Sequence, residues 1–257
     1  MQNRVAIISG ASSGIGRATA MRLACKGIKM ILTGRDEVKL LEVAKEVSQI
    51  AHADISRVVA GDISDPGVTA SCIAKCRRSW MAPPSIFIAS AGRGLPGTVI
   101  DSDPLEWDKL IDTNIKGLLC QLRGIGKAML EQVSADRDLV QEPLDIVVIG
   151  SSIGRNVSPF NSVYGATKFA AHGLTEALRR QLGPKGIRVT LIEPGIVDTN
   201  FQQSAGYSRE WFDGYKKEIG PVLEAADIAS VIDFLLDLPG NVNLDNVSIR
   251  PTRQAYP

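Results

Sequence analysis

The chain has 257 residues, of which 44% are hydrophobic and 22% charged, a composition typical of a globular protein with a large core. Its 29 Lys and Arg residues nearly balance 28 Asp and Glu residues, which argues against nucleic acid or an anionic membrane as a partner. No apolar run reaches the roughly 18 residues of a membrane span, and the first apolar run is too short for a secretory signal, so we expect a cytoplasmic protein.

Apolar, β-branched runs alternate along the chain with longer amphipathic stretches. The apolar runs predict strands that are buried on both faces. They lie at residues 5–9, 29–33, 56–60, 85–90, 144–150 and 187–193. Helices are predicted between them, for example at 16–26, 37–50 and 175–182. This alternation predicts an α/β fold, a doubly wound parallel sheet forming a single domain over residues 1–257.

The polar residues that follow each predicted strand gather at one edge of such a sheet, where open α/β folds bind their ligands. Two segments are less regular than the rest. Residues 131–145 are predicted to form a surface excursion, whereas the aromatic-rich residues 200–220 are predicted to form a helical flap over a pocket.

The first strand is followed by the glycine-rich stretch "SGASSGIG", which contains Gly10, Gly14 and Gly16. Glycine permits positive φ and lets an anion approach the N-terminus of the next helix, where free N–H groups and the helix dipole favour negative charge. A tight connection without a ligand is the alternative. The strand, turn and helix order favours a dinucleotide site.

At the end of the second strand, Gly34 and Arg35 stand where an acidic residue would bind the ribose hydroxyls of NAD. A guanidinium instead suits the 2′-phosphate of NADP(H), although a solvated loop arginine is the plain alternative. Asp62 follows the third strand, where it can bind the adenine amino group or cap a helix.

The cysteines are too sparse for a disulfide framework and should stay reduced in a cytoplasmic chain. Cys72 and Cys76 can share a helix face, but no histidine or further cysteine lies near them in the sequence. We therefore predict inert thiols and no metal site. His52 and His172 have no motif partners and are given no role.

Tyr164 and Lys168 are four residues apart, so they lie on one face of a helix and can act at one point. A phenol has a reference pKa of about 10, and a nearby ammonium stabilises its phenolate. Tyr164 can then serve as a general acid or base. A loop that returns Ser151 to the same point would add a donor to the substrate oxygen.

Together these residues resemble the short-chain dehydrogenase/reductase family over nearly the whole chain. The resemblance rests on the glycine turn, on Asn114 in "DTNIKG", on Ser151, on the Tyr164–Lys168 pair and on "EPGIVDT". It implies a Rossmann-type domain and hydride transfer between a nicotinamide and an alcohol or carbonyl carbon.

A closer likeness is to the NADP-dependent 3-hydroxy acid (serine/allo-threonine) dehydrogenase branch, above all in the tail "LPGNVNLDNVSIRPTRQAYP". One departure from the family pattern is Ser90-Ala91-Gly92, since Asn-Ala-Gly is usual there. It calls into question the hydrogen bonds that hold the strand ends around the cofactor.

The resemblance implies four catalytic residues, Asn114, Ser151, Tyr164 and Lys168. Ser151 is chosen over Ser152 because the family places this serine thirteen residues before the tyrosine. Lys168 would also bind the nicotinamide ribose, and Asn114 would hold a water that links Lys168 to solvent. The residues implied to contact the cofactor are Gly10, Ser12, Ser13, Gly14, Ile15, Gly16, Arg35, Asp62, Ala91, Gly92, Asn114, Tyr164, Lys168, Pro194, Gly195, Val197 and Thr199.

The family also implies a homotetramer, in which the helices at 112–130 and 164–182 pair with their symmetry mates. Three functions stay open: an oxidoreductase of small hydroxy acids, a reductase of bulkier neutral ketones or aldehydes, and a nucleotide-sensing protein without turnover. Arg93 or Arg155 can bind a carboxylate, or each can be a solvated surface arginine. The candidate substrate-pocket residues are Arg93, Arg155, Asn156, Pro159, Phe160, Phe201, Tyr207 and Trp211.

Overall fold

A computed structural model describes residues 4–256 and shows a parallel sheet of seven strands covered by helices on both faces. The strands are β1 Val5–Ser9, β2 Lys29–Gly34, β3 Ser56–Ala60, β4 Ile86–Ala89, β5 Leu144–Ile149, β6 Ile187–Pro194, β7 Val197–Asp198, β8 Leu223–Glu224 and β9 Asn246–Ile249. The sheet order is β3-β2-β1-β4-β5-β6-β9, and β7 pairs separately with β8. The predicted single-domain α/β fold is confirmed.

Nine α-helices connect and cover these strands within residues 4–256. They are α1 Gly14–Ala24, α2 Glu37–Ala51, α3 Pro66–Trp80, α4 Trp107–Ile111, α5 Leu118–Leu130, α6 Ser162–Leu182, α7 Phe201–Ser204, α8 Arg209–Ile219 and α9 Ala225–Asp237. A π-helical turn, Asp112–Gly117, joins α4 to α5. No helix in the described part of the chain is long and apolar enough to cross a membrane.

The core forms two hydrophobic clusters, one on each face of the sheet. Leu23 of α1, Val47 of α2 and Ile232 of α9 belong to one cluster. Ile125 of α5 and Leu182 of α6 belong to the other. Because both faces are covered, β1 and β6 are buried along their whole length, which explains why the sequence shows mostly apolar runs rather than strict alternation.

Cys72 and Cys76 of α3 are buried in the second cluster, as expected of inert thiols. Burial raises the pKa of Cys72 to about 11 and that of Cys76 to about 12, so neither thiol ionises near neutral pH. Within residues 4–256 no group of three or more His, Cys, Asp or Glu side chains is placed to hold a metal ion.

Strands β1 and β4 are neighbours in the sheet, but the chain leaves them in opposite directions. From β1 it continues to β2 on one side, and from β4 it continues to β5 on the other. This point is the topological switch at which a doubly wound sheet opens a crevice. The segment at 200–220 folds into α7 and α8 beside this crevice, in agreement with the predicted helical flap.

Candidate active site

The turn between β1 and α1 is built for close approach by a ligand. Gly10 and Gly14 adopt φ of 64° and 51°, which disfavours other residues. Ser13 caps α1 without a side-chain hydrogen bond, and the first turn has no acidic residue. The N–H groups and the positive end of the helix dipole therefore lack an intramolecular anion.

A cavity of about 1230 Å³ extends from this turn along the carboxyl edge of the sheet. Most of the predicted cofactor residues line it, and two do not: Gly16 and Asn114. The lining includes Gly10, Ser12, Ser13, Gly14, Ile15, Arg35, Asp62, Ala91, Gly92, Tyr164, Lys168, Pro194, Gly195, Val197 and Thr199.

Gly16 is buried and does not line the cavity, and its predicted contact with the cofactor stays a prediction. A Cβ added at Gly16 would lie 2.4 Å from the carbonyl oxygen of Gly10. The residue is glycine because α1 packs directly against the turn that precedes it, so it shapes the site from behind.

Beyond β2, Arg35 is exposed and lines the cavity together with Lys39, which the sequence analysis did not identify. Asp36 lies between them, but its carboxylate accepts a hydrogen bond from the Lys39 backbone N–H at 3.1 Å and caps α2. The other oxygen of Asp36 pairs with Lys39 Nζ at 3.2 Å, so Arg35 is the cation at this end that has no ion pair among the described residues.

Asp62 lines the cavity and also serves its own loop. Its Oδ1 accepts a hydrogen bond from the Ser64 backbone N–H at 2.8 Å. Hydrogen bonds from Ser64 lower the pKa of the Asp62 carboxyl, and Arg35 adds a smaller effect in the same direction. The contact with adenine stays a prediction.

Tyr164 and Lys168 lie on consecutive turns of α6, and Ser151 follows β5 at the same place. All three are buried, with 6%, 8% and 9% of their surface exposed. Lys168 Nζ lies 5.8 Å from the centroid of the Tyr164 ring and donates a hydrogen bond to the Ile149 carbonyl oxygen at 3.1 Å. The structure therefore brings the predicted trio together in one wall of the cavity.

Burial controls the protonation of this trio. It raises the pKa of the Tyr164 phenol, an effect that a hydrogen bond with Ser151 opposes. Burial also lowers the pKa of Lys168 to about 8. Tyr164 therefore holds its proton at neutral pH, as a general acid must.

Asn114 lies behind the cavity, in the π-helical turn. Its Oδ1 accepts a hydrogen bond from the Arg93 N–H at 2.8 Å, while its Nδ2 donates to the Arg93 carbonyl at 2.9 Å and to Thr167 Oγ1 at 3.0 Å. The side chain thus clamps the loop after β4 onto α6. Its role in holding a water stays a prediction.

The loop with Ser90 remains tied to the sheet through Ser9. The Ser9 Oγ lies 3.4 Å from the Ile88 carbonyl oxygen, to which it donates, and accepts from the Ala91 N–H at 3.4 Å. A Cβ on Gly10 would come within 2.8 Å of the Ala91 backbone. Ser9, and not the residue at position 90, therefore joins the end of β1 to the end of β4 in this chain.

The two candidate carboxylate-binding arginines are engaged elsewhere. Arg93 binds Glu106 at 2.5 Å, and Arg155 forms a two-point pair with Glu193 at 2.9 and 2.5 Å. Neither arginine lines the cavity, and Asn156 and Pro159 do not line it either. By contrast, the predicted aromatic residues do so: Phe160, Phe201, Tyr207 and Trp211.

His172, which the sequence analysis left without a role, lies under the loop that bears Ser151. Its Nε2 accepts a hydrogen bond from the Ser151 N–H at 3.4 Å, and its Nδ1 is 3.9 Å from Glu193. A Cβ at Gly150 or Gly154 would come within 2.5 and 2.4 Å of His172 Nε2. The two glycines of "GSSIG" therefore make room for this ring.

Comparison with known proteins agrees with this architecture. A family model described as short chain dehydrogenase matches residues 4–210. An uncharacterized oxidoreductase of Staphylococcus saprophyticus is 34% identical over 251 residues, covering 98% of each chain. One from Staphylococcus epidermidis is 33% identical over 254 residues, again covering 98% of each.

Two solved structures are similar over nearly the whole chain. The closed form of a serine dehydrogenase complexed with NADP+ has a TM-score of 0.85 and 26% identity, covering 98% of this chain and 96% of that one. Levodione reductase also has a TM-score of 0.85, with 27% identity and 98% coverage of both chains.

Proposed function

The chain belongs to the short-chain dehydrogenase family, and from this premise we propose that it is an NADP(H)-dependent oxidoreductase that interconverts an alcohol and a carbonyl compound. One observation carries the proposal: the buried trio of Ser151, Tyr164 and Lys168 lies in the same cavity as the glycine turn after β1. A nucleotide-sensing protein without turnover would not need this trio.

The residues of the trio divide the proton chemistry between them. When bound, the nicotinamide supplies or accepts the hydride. Tyr164 Oη gives a proton to the carbonyl oxygen in reduction and removes it from the alcohol in oxidation. The Ser151 hydroxyl donates to the same oxygen, where negative charge develops. The ammonium of Lys168, one turn away, favours the phenolate that forms.

The preference for NADP(H) is supported by the cations beyond β2. Arg35 and Lys39 line the end of the cavity that follows β2, and the Asp36 carboxylate is used in capping α2. Asp36 also lines the cavity, but one of its oxygens accepts from the Lys39 N–H and the other pairs with Lys39 Nζ at 3.2 Å. The Arg35 guanidinium is therefore the group that suits a 2′-phosphate. The serine dehydrogenase that is similar to this chain is itself complexed with NADP+.

Two substrate classes follow from the family. A small hydroxy acid is supported by the likeness to serine dehydrogenase. A bulkier neutral ketone or aldehyde is favoured by the ion pairs of Arg93 and Arg155, which leave neither guanidinium for a substrate carboxylate.

A homotetramer and a cytoplasmic location complete the proposal. On α6, Ala166 and Gly173 are exposed, and Leu119 of α5 exposes 45% of its surface, so small and apolar side chains face outward where the family pairs its helices. Ala171, on the same helix, is buried against its own chain and so does not belong to this outward face. Sedimentation at micromolar concentration tests the assembly, since a monomer alone would contradict it. Cell fractionation tests the location.

The proposed chemistry is tested by Tyr164→Phe, which keeps the ring and removes only the transferable proton. We expect turnover to be lost while NADPH binding, measured by fluorescence titration, stays near that of the wild type. Ser151→Ala should lower kcat sharply, and Ser152→Ala is the matched control with a neighbouring buried serine. Normal turnover by Tyr164→Phe would contradict the mechanism.

A further inference from the structure

The charged lining residues are segregated to one end of the cavity. Apart from Lys168, the charged side chains that line it within residues 4–256 are Arg35, Asp36, Lys39 and Asp62, on the segments that follow β2 and β3. The part of the cavity beyond Tyr164 has no charged lining residue among the described side chains. A substrate carboxylate would lose its hydration there and gain no cation in return.

Aromatic rings form the wall at this uncharged end. Tyr207, just before α8, and Trp211 and Tyr215 of α8 are spaced four residues apart and stack in series, with ring centroids separated by 5.4 and 5.7 Å. Phe160 lines the same cavity and is 73% exposed, and Trp211 is 50% exposed. Phe201 joins this wall to the reaction centre, because its ring centroid lies 5.8 Å from that of Tyr164.

Exposed aromatic surface inside a cavity favours an apolar ligand. Water cannot satisfy ring faces, so a flat ring that displaces it gains the hydrophobic transfer energy together with offset stacking. Drug-sized ligands are bound in cavities with this combination of aromatic walls and few polar groups.

Two amide side chains at this end each have an acceptor oxygen without a hydrogen-bond partner among the described residues. Asn161 is 8% exposed, and its Nδ2 donates a hydrogen bond to the Tyr207 hydroxyl at 3.1 Å, whereas its Oδ1 has no partner. Gln202 also lines the cavity, and its Oε1 is likewise unpaired. Acceptor oxygens without a donor would repel a substrate carboxylate, so they favour an uncharged substrate at this end of the cavity.

We propose that the substrate is a neutral, ring-bearing ketone or aldehyde, or the corresponding alcohol, whose ring lies against Tyr207, Trp211 and Tyr215. This inference rests on the proposed oxidoreductase function. In reduction the carbonyl carbon gains the hydride of NADPH and the carbonyl oxygen gains the Tyr164 proton, which yields the alcohol and NADP+.

Four α-keto compounds separate the effect of substrate charge from the effect of a substrate ring on turnover. Ethyl benzoylformate and benzoylformate share a ring and a ketone but differ in charge, and ethyl pyruvate and pyruvate repeat the comparison without the ring. NADPH consumption should give a kcat/KM for ethyl benzoylformate that exceeds each of the others by about tenfold or more. Serine and 3-hydroxybutanoate are tested separately as hydroxy acids with NADP+, and we expect both to be turned over more slowly than ethyl benzoylformate is with NADPH.

Substitutions of Trp211 test where the substrate ring binds. Trp211→Ala should lower kcat/KM for ethyl benzoylformate about tenfold and leave ethyl pyruvate within about twofold. Phe234→Ala is the matched control, because Phe234 is a 58% exposed aromatic residue on α9 outside the cavity. Binding is read independently as quenching of Trp211 fluorescence by ethyl benzoylformate in the presence of NADP+, with Trp211→Phe as the blank.

Each outcome supports or overturns a separate claim. Faster turnover of the acids than of the neutral ring ketone would overturn the substrate class and leave the oxidoreductase function intact. Quenching of Trp211 without NADPH consumption by any compound would overturn the proposed function and retain the ring site. The absence of both quenching and turnover would overturn the ring site as well. Equal effects of Trp211→Ala and Phe234→Ala would remove α8 from substrate binding.

Discussion

Arg35→Asp is the sharpest test of cofactor choice. Arg35 is exposed at the end of β2, lines the cavity and has no ion pair among the described residues. The new carboxylate would repel a 2′-phosphate. It could also accept hydrogen bonds from the two hydroxyls of an unphosphorylated ribose, so NAD(H) use should rise or hold steady.

The magnitude follows from the surroundings of the guanidinium. A hydrogen bond to a charged group contributes about 1.5–3 kcal/mol, which corresponds to roughly ten- to more than a hundredfold in affinity. Arg35 is exposed to screening solvent, so the lower end of that range applies. We expect a loss of about tenfold or more in kcat/KM for NADP+.

The assay is the ratio of kcat/KM for NADP+ to that for NAD+, measured with one alcohol at low and at high salt. Arg78→Asp on α3 is the control, because it makes the same charge change at an exposed arginine outside the cavity. Equal use of both cofactors by the wild type, or an unchanged ratio in Arg35→Asp, would show that another group binds the phosphate.

Three further variants test Lys168 in the cavity wall and two residues behind it, His172 and Gly16. Burial lowers the Lys168 pKa from 10.5 to about 8, so the unfolded chain binds more protons than the folded chain between these pH values. The free energy of unfolding therefore rises with pH across this window, and Lys168 destabilises the fold most below pH 8. Lys168→Met should therefore raise Tm most at pH 7 and less at pH 10, and a pH-independent change would contradict the burial argument. His172→Leu should lower kcat by roughly tenfold, because it removes the acceptor for the Ser151 N–H, while NADPH affinity stays near normal. His172→Gln should restore part of kcat. Equal kcat in wild type and His172→Leu would refute a role for His172 in positioning Ser151. Gly16→Ala places a methyl 2.4 Å from a backbone oxygen and should lower Tm, whereas Gly214→Ala, with open space around it, should not.

Features set by local spacing were predictable from the sequence. The six predicted strands were confirmed because most of their residues are apolar or β-branched, a pattern that is visible without any tertiary information. The turn at Gly10 and the pair Tyr164 and Lys168 depend on residues fewer than eight positions apart, so their geometry follows from one turn or one helix face.

Features set by contacts between distant elements were not predictable. Strand β9 pairs with β6 at the sheet edge, and its residues are only partly buried, so it has no apolar run to reveal it. The charge of Arg155 suggested a substrate anion, but its partner Glu193 is 38 residues away on β6 and fully buried. A side chain's partner depends on the packing of both elements, and the local pattern around either residue does not contain it.

The buried carboxylate of Glu193 links two loops that the sequence presents as separate motifs. Glu193 directly precedes Pro194 at the end of β6, while Arg155, which it binds, follows the Ser151 loop at the end of β5. An unpaired carboxylate at 0% exposure would be strongly unfavourable, and the bidentate pair with Arg155 compensates for its burial. One ion pair therefore connects the serine loop to the Pro194 loop, and it links the residues predicted for catalysis to those predicted for cofactor binding.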